Sequence, residues 1–166
     1  MDNNDILRRL RYALELNDKN MIKIFGLAGR EVTREQVSQW LKKEDDAGFS
    51  SCNDLLLATF LNGFINLKRG KREGEQLKPE KRLSNNIILM KLKIALNLKA
   101  EGVLELLDLA NFVLGKHELS AFFRKKDHKN YRECKDQVLR HFILGIQLKY
   151  RDKQEVEPAF VWKLPE

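Results

Sequence analysis

Apolar residues fall in two long runs, residues 52–69 and 134–151, where they occupy so many consecutive positions that a helix built from either has little polar face left. Such helices must be covered on most sides, so the pair is expected at the centre of the fold. Ahead of the first run the apolar positions recur three and four apart: Ile6, Leu7, Leu10, Ala13 and Leu14, then Met21, Ile22, Ile24, Phe25 and Ala28, then Val37, Trp40 and Leu41. That spacing predicts three amphipathic helices. The first spans about residues 4–16 with Asn3 or Asn4 as N-cap, and the second starts at a cap on Asp18 and stops at Gly29. The third opens on Thr33 and Gln36, spaced as a capping box. No stretch alternates as a strand does, so the fold class is all-α.

The second half repeats the first. Shifting the chain by 82 residues pairs positions 3–70 with 85–152 without a gap, and 19 of the 68 pairs are identical, which is too many in one register for chance. Cys52/Cys134, Asp54/Asp136, Phe60/Phe142 and Gly63/Gly145 are among them. The expected architecture is two tandem, pseudo-equivalent four-helix repeats, at 3–70 and 85–151, packed about a pseudo-two-fold axis. The second repeat's helices are expected near 86–98, 101–110, 116–125 and 133–150. A charged linker at 71–84, with its Gly and Pro, joins the repeats, and a C-terminal tail occupies 152–166. Gly63 and Gly145 need a reason, because Gly inside a helix costs about 1 kcal/mol relative to Ala. Either the two central helices cross there, or each Gly makes room for a large neighbour in its own repeat. In the tail, Phe160 and Trp162 are expected to dock on the protein's own surface or to hold a partner.

No apolar run is long enough for a membrane span, and the polar, acidic start is unlike a signal peptide, so a cytoplasmic protein with no membrane partner is expected. Two cysteines in that setting are expected as reduced thiols behaving as small hydrophobes. Residues 85–151 hold 13 basic against 7 acidic side chains and so contribute most of the net charge of +7. Excess charge on one repeat points to an anionic partner on one face.

The richest cluster is Arg124, Lys125, Lys126, Lys129, Arg132 and Lys135 with Tyr131 among them, at the end of the seventh helix and in the loop after it. Flexible cations suit phosphates and an aromatic ring suits a base, so these seven are the candidate anion- or nucleic-acid-binding residues. The first repeat begins the same pattern with Lys42 and Lys43 and cancels it with Glu44, Asp45 and Asp46. Residues 33–41 also have the look of a recognition helix, a weak signal because many short helix pairs do. His128, Cys134 and His141 lie close in sequence but lack the paired ligand spacing of a metal site, so no metal and no cofactor is expected. No nucleophile elbow, phosphate loop or zinc-protease motif occurs, and no catalytic residue is assigned.

The stretches NDILRRLRYAL at 4–14, WLKKEDD at 40–46, KRGKREG at 68–74, KHELSAFFRK at 116–125 and HKNYRECKDQ at 128–137 resemble the YehS-like family of bacterial proteins, built from a tandem domain of unknown function. The resemblance covers about residues 3–151. It implies two helical repeats in a bacterial cytoplasmic protein and supplies no catalytic residue or ligand. The first repeat departs from the fuller pattern at Phe49, Ser50 and Ser51, where the second has Tyr131, Arg132 and Glu133. The function expected is a nucleic-acid-binding accessory or regulatory protein using the basic face of the second repeat. The alternative is a protein-interaction adaptor for an acidic or helical partner. The sequence leaves a homodimer open.

Overall fold

The computed structural model describes residues 1–154. Phe160 and Trp162 lie outside the described residues. Eight α-helices and no strand are present among those described: α1 (Asn3–Ala13), α2 (Asp18–Leu27), α3 (Arg34–Leu41), α4 (Asp54–Arg69), α5 (Asn85–Ala95), α6 (Ala100–Leu109), α7 (Lys116–Phe122) and α8 (Asp136–Ile146). A π-helical turn over Gln147–Arg151 continues α8. Each repeat thus supplies four helices.

The repeats pack reciprocally. Within each, the fourth helix rests on the second, α4 on α2 and α8 on α6. The first helix of the opposite repeat then completes the cover: α5 lies along α4, and α1 along α8 and its π-turn. This exchange is the pseudo-two-fold relation, and it makes one shared core from Leu7, Leu10, Phe25, Leu57, Phe60, Leu89, Leu92, Leu139 and Phe142. Phe25 meets Trp40 and Phe60 with ring centroids 5.3 and 5.5 Å away.

The glycines serve packing inside each repeat, and the central helices do not use them to cross. A Cβ on Gly63 would stand 1.9 Å from the Ile24 carbonyl oxygen, and one on Gly145 would stand 2.0 Å from that of Leu106. Both glycines therefore bring a helix backbone against the helix two before it. In α4, Leu56 to Ile65 are all buried, as its apolar run predicts. Helix α8 is more one-sided, with Arg140 and Leu144 exposed.

Two capping expectations are corrected. The N-cap of α1 is Asp2, whose side chain accepts from Asp5 N, and that of α2 is Asn17, which accepts from Asn20 N. Asn4 is buried instead. Its amide donates to Trp40 O (2.8 Å) and Ser50 O (2.9 Å), and its Oδ1 accepts from Cys52 N (3.0 Å). A short polar side chain just inside a helix reads as a cap in sequence, but here it ties the helix start to the loop before the fourth helix. The third and fourth helices of repeat 2 are also shorter than expected, and Cys52 and Cys134 precede α4 and α8 by two residues, buried in that loop.

Asp54 and Asp136, the first residues of α4 and α8, do more than favour a helix dipole. Asp54 accepts from Asn3 of its own repeat (2.7 Å) and from Leu83 N at the entry to repeat 2 (2.9 Å). Asp136 accepts from Asn85 (2.8 Å) and from the Met1 ammonium (2.9 Å), which hold its carboxyl below the usual range. At the other end Arg151 stacks on Tyr12, 3.8 Å from the ring centroid, and donates to Tyr12 O (3.0 Å).

The linker is pinned by a buried polar cluster. Lys91 on α5 donates to Asn62 on α4 and pairs with linker Glu80 at 3.0 Å. Under the 82-residue shift, Asn62 corresponds to Leu144 and Lys91 to Arg9, so this device belongs to one side of the molecule only.

Candidate functional site

The basic loop between α7 and α8 is held from below by Asn86, the second repeat's counterpart of Asn4. Its amide donates to Phe122 O (3.0 Å) and Arg132 O (2.8 Å), and its Oδ1 accepts from Cys134 N (3.0 Å). Inside the loop His128 N donates to Lys125 O (2.9 Å), Tyr131 N to His128 O (3.0 Å), and Arg132 N to Ala121 O (3.2 Å). These bonds fold residues 123–135 into two successive turns that throw the lysines outward. Burial, aided by the Asp136 and Glu133 carboxylates, pushes the Cys134 thiol up to about 12, so it is a neutral, packed group and no nucleophile at neutral pH.

Three of the seven candidates converge. Arg124, Lys126 and Tyr131 border a cavity of about 510 Å³ between the loop and α5, whose apolar lining is Leu83, Ile87, Met90 and Phe122. Arg82 from the linker stands on its rim with them. Arg132 faces away into a smaller concavity that it shares with Arg124 and His117. Lys135 lies on a third depression beside Asp136 and is paired with Glu133 (3.2 Å). Lys125 and Lys129 are exposed on the loop. Among the described residues none of Arg82, Arg124, Lys125, Lys126, Lys129 and Arg132 has a carboxylate within ion-pair distance.

The equivalent place in repeat 1 is different in kind. Arg8 stands where repeat 2 has Met90, and Asp5 where it has Ile87. Arg8 pairs with Asp5 and donates to Lys42 O (2.8 Å), laying an ion pair over the floor that is apolar in repeat 2. The depression that remains, also about 510 Å³, is displaced onto Asn3, Ser51 and Cys52 and is rimmed by Asp2 and Glu44. One scaffold thus presents a cation-rimmed apolar cavity in one repeat and a polar, acidic hollow in the other.

Arg82, Ile87 and Met90 escape a reading based on charge clusters. For Ile87 and Met90 the signal lay in the self-comparison, as non-conservative exchanges (Met90 for Arg8, Ile87 for Asp5) within otherwise matched helices, whereas Arg82 lies in the linker and has no counterpart there. The histidines form no cluster: His141 Nδ1 donates to Gln137 O (2.7 Å) and its ring lies on Phe112, while His128 Nδ1 accepts from Asn130 N. Among the described residues no three His, Cys, Asp or Glu side chains converge as a metal site would need. Helix α3 carries a single cation, Arg34, which is 3.9 Å from Asp18. No helix of the described residues is long and apolar enough to cross a membrane.

Fold and site together define an all-α protein of two reciprocally packed repeats, of which the second carries the open cavity. The chain belongs to the family described as "Protein of unknown function (DUF1456)", which matches it twice, over residues 3–70 and 85–152. It is similar to "Uncharacterized protein YehS" of Escherichia coli (strain K12), with 45% identity over 155 residues, covering 93% of this chain and 99% of that protein. No solved structure matches the chain.

Proposed function

We propose that the protein is a non-enzymatic accessory or regulatory factor that binds nucleic acid through the α7–α8 loop of repeat 2. The observation that supports this reading is the row of cations without carboxylate partners among the described residues, Arg124, Lys125, Lys126, Lys129 and Arg132, on a loop whose counterpart carries Glu44 and Asp46 where this one has Lys126 and His128. A run of solvated cations on a rigidly anchored loop suits a polyanion, because each phosphate neutralised releases counterions. Salt-titrated binding to short single strands and random duplex tests the reading. Affinity is expected to fall steeply with salt. Neutralising Lys125, Lys126, Lys129 and Arg132 together should remove up to about 3 from the log–log slope on single strands and up to about 3.6 on duplex, at about 0.7 and 0.9 per lost phosphate contact. Absence of binding to any strand at low salt would refute it and leave the adaptor reading, a partner with an acidic surface.

A further inference from the structure

We propose that the cavity between α5 and the α7–α8 loop receives one unstacked base of a single strand, with the neighbouring phosphates held by Arg82 on one side and Arg124 and Lys126 on the other. This rests on the reading of repeat 2 as a nucleic-acid interface and goes further, to the form of nucleic acid bound.

The chemistry of the walls selects the occupant. Ile87, Met90 and Phe122 give an apolar floor, and Tyr131, half-buried, gives an aromatic side on which a flat ring can stack. Met90 is 39% exposed, so its thioether is open to an occupant of the cavity and adapts to ring edges of different shape. The volume, about 510 Å³, is within the usual range of small-ligand sites, and a base with part of its sugar is of that class. A base inside a duplex has both faces stacked and cannot enter without being turned out, so the cavity favours single strands. The rim cations come from two separate segments, the linker and the loop, so the occupant must offer negative charge on either side of an apolar body. A strand does so at every nucleotide. The cations also continue beyond the cavity to Lys125, Lys129 and Arg132, which a repeating polyanion uses and a peptide carrying one or two carboxylates does not.

Repeat 1 supplies the control. There Arg8 and Asp5 lie across the floor as an ion pair, and the fold tolerates it. The double change Met90→Arg with Ile87→Asp should therefore close the cavity without unfolding the protein and without altering net charge.

The experiment compares three probes on the full chain: a short thymidine homopolymer, an abasic strand of the same length, and a random duplex. The natural protein is expected to prefer the base-bearing strand over the abasic one at least about tenfold, the scale of one base–aromatic stack. The double variant should bring that ratio close to one while abasic and duplex binding and their salt slopes stay unchanged. Tyr131→Leu, which keeps the floor, should lower the same ratio and serves if the double variant fails to melt cooperatively. A ratio unchanged in either folded variant overturns the cavity proposal and leaves the wider reading standing. If no strand binds, the wider reading falls as well, and saturable binding of an acidic peptide in its place would identify a protein partner.

Discussion

Gly63 lies against Ile24 so closely that the carbonyl oxygen of Ile24 fills the space where a Cβ would be. The clash is with backbone, which cannot rotate away, so the two helices would have to part. Gly63→Ala and Gly145→Ala are each expected to destabilise by about 3 kcal/mol or more, the upper range of overpacking costs. Gly26 on α2 is the control, because a Cβ there meets nothing within 4 Å. Gly26→Ala should be neutral or stabilising by up to about 1 kcal/mol through helix propensity. Urea unfolding of the three variants checks the ordering.

Asn86 bonds both ends of the basic loop, to Phe122 at one and to Arg132 and Cys134 at the other. Asn86→Ala leaves two carbonyls and one N–H without a partner in a buried place, at an expected cost of about 3 kcal/mol. Asn4→Ala should cost about as much for the same reason in repeat 1. Only Asn86→Ala should weaken strand binding, measured under conditions where both variants remain folded. Equal losses of binding in the two would show that the loop's own geometry does not matter.

The two thiols should be inert in the native protein. Burial first, and then nearby carboxylates, push Cys52 and Cys134 up to about 12 from an ordinary value near 9.0. Reaction with a disulfide reagent at neutral pH is expected to follow global opening and to be suppressed wherever the protein is stable. The pH dependence has a definite sign. A group whose folded value is raised stabilises the fold fully below its unfolded value, so stability should hold up to about pH 9 and decline from there toward 12 as the unfolded chain releases these protons first. A urea midpoint that rises over that interval would contradict the burial.

Lys91 is buried with its charge, paired with Glu80 and bonded to Asn62. The Glu80 oxygen it faces is itself buried and makes no hydrogen bond among the described residues. Lys91→Ala therefore strands a carboxylate, with an expected loss of about 3 kcal/mol. Replacing Lys91, Asn62 and Glu80 together with apolar residues of similar size should cost less than the single change. Tryptic cleavage in residues 71–82 reports whether the linker has come loose, and should be faster in Lys91→Ala than in the triple variant.

The helices and their doubling were legible in the sequence because both rest on local, repeated signals: apolar spacing, the Thr33 capping box and the matched register of Leu10/Leu92 or Phe60/Phe142. What escaped depends on distance. Nothing near Asn4 in sequence tells that its partners are at Trp40, Ser50 and Cys52, and a polar residue at the start of a helix is read as a cap. Gly63 showed that something comes close without showing that it is Ile24. The candidate site was legible by half. The charge of Arg124, Lys126 and their neighbours is local, whereas the cavity is made by Met90 and Arg82, which only folding brings to Tyr131.

The reciprocal lie of α5 on α4 and of α1 on α8 has a bearing on origin and stoichiometry. A solitary ancestral unit would cover one side of its fourth helix with its own second helix and leave the other side open to the first helix of a sister molecule. Such a unit is complete only as a pair, and fusing two genes would turn an association that depends on concentration into one that does not. Within one chain the two halves can differ without losing that pairing, as Arg8 in one and Met90 in the other do.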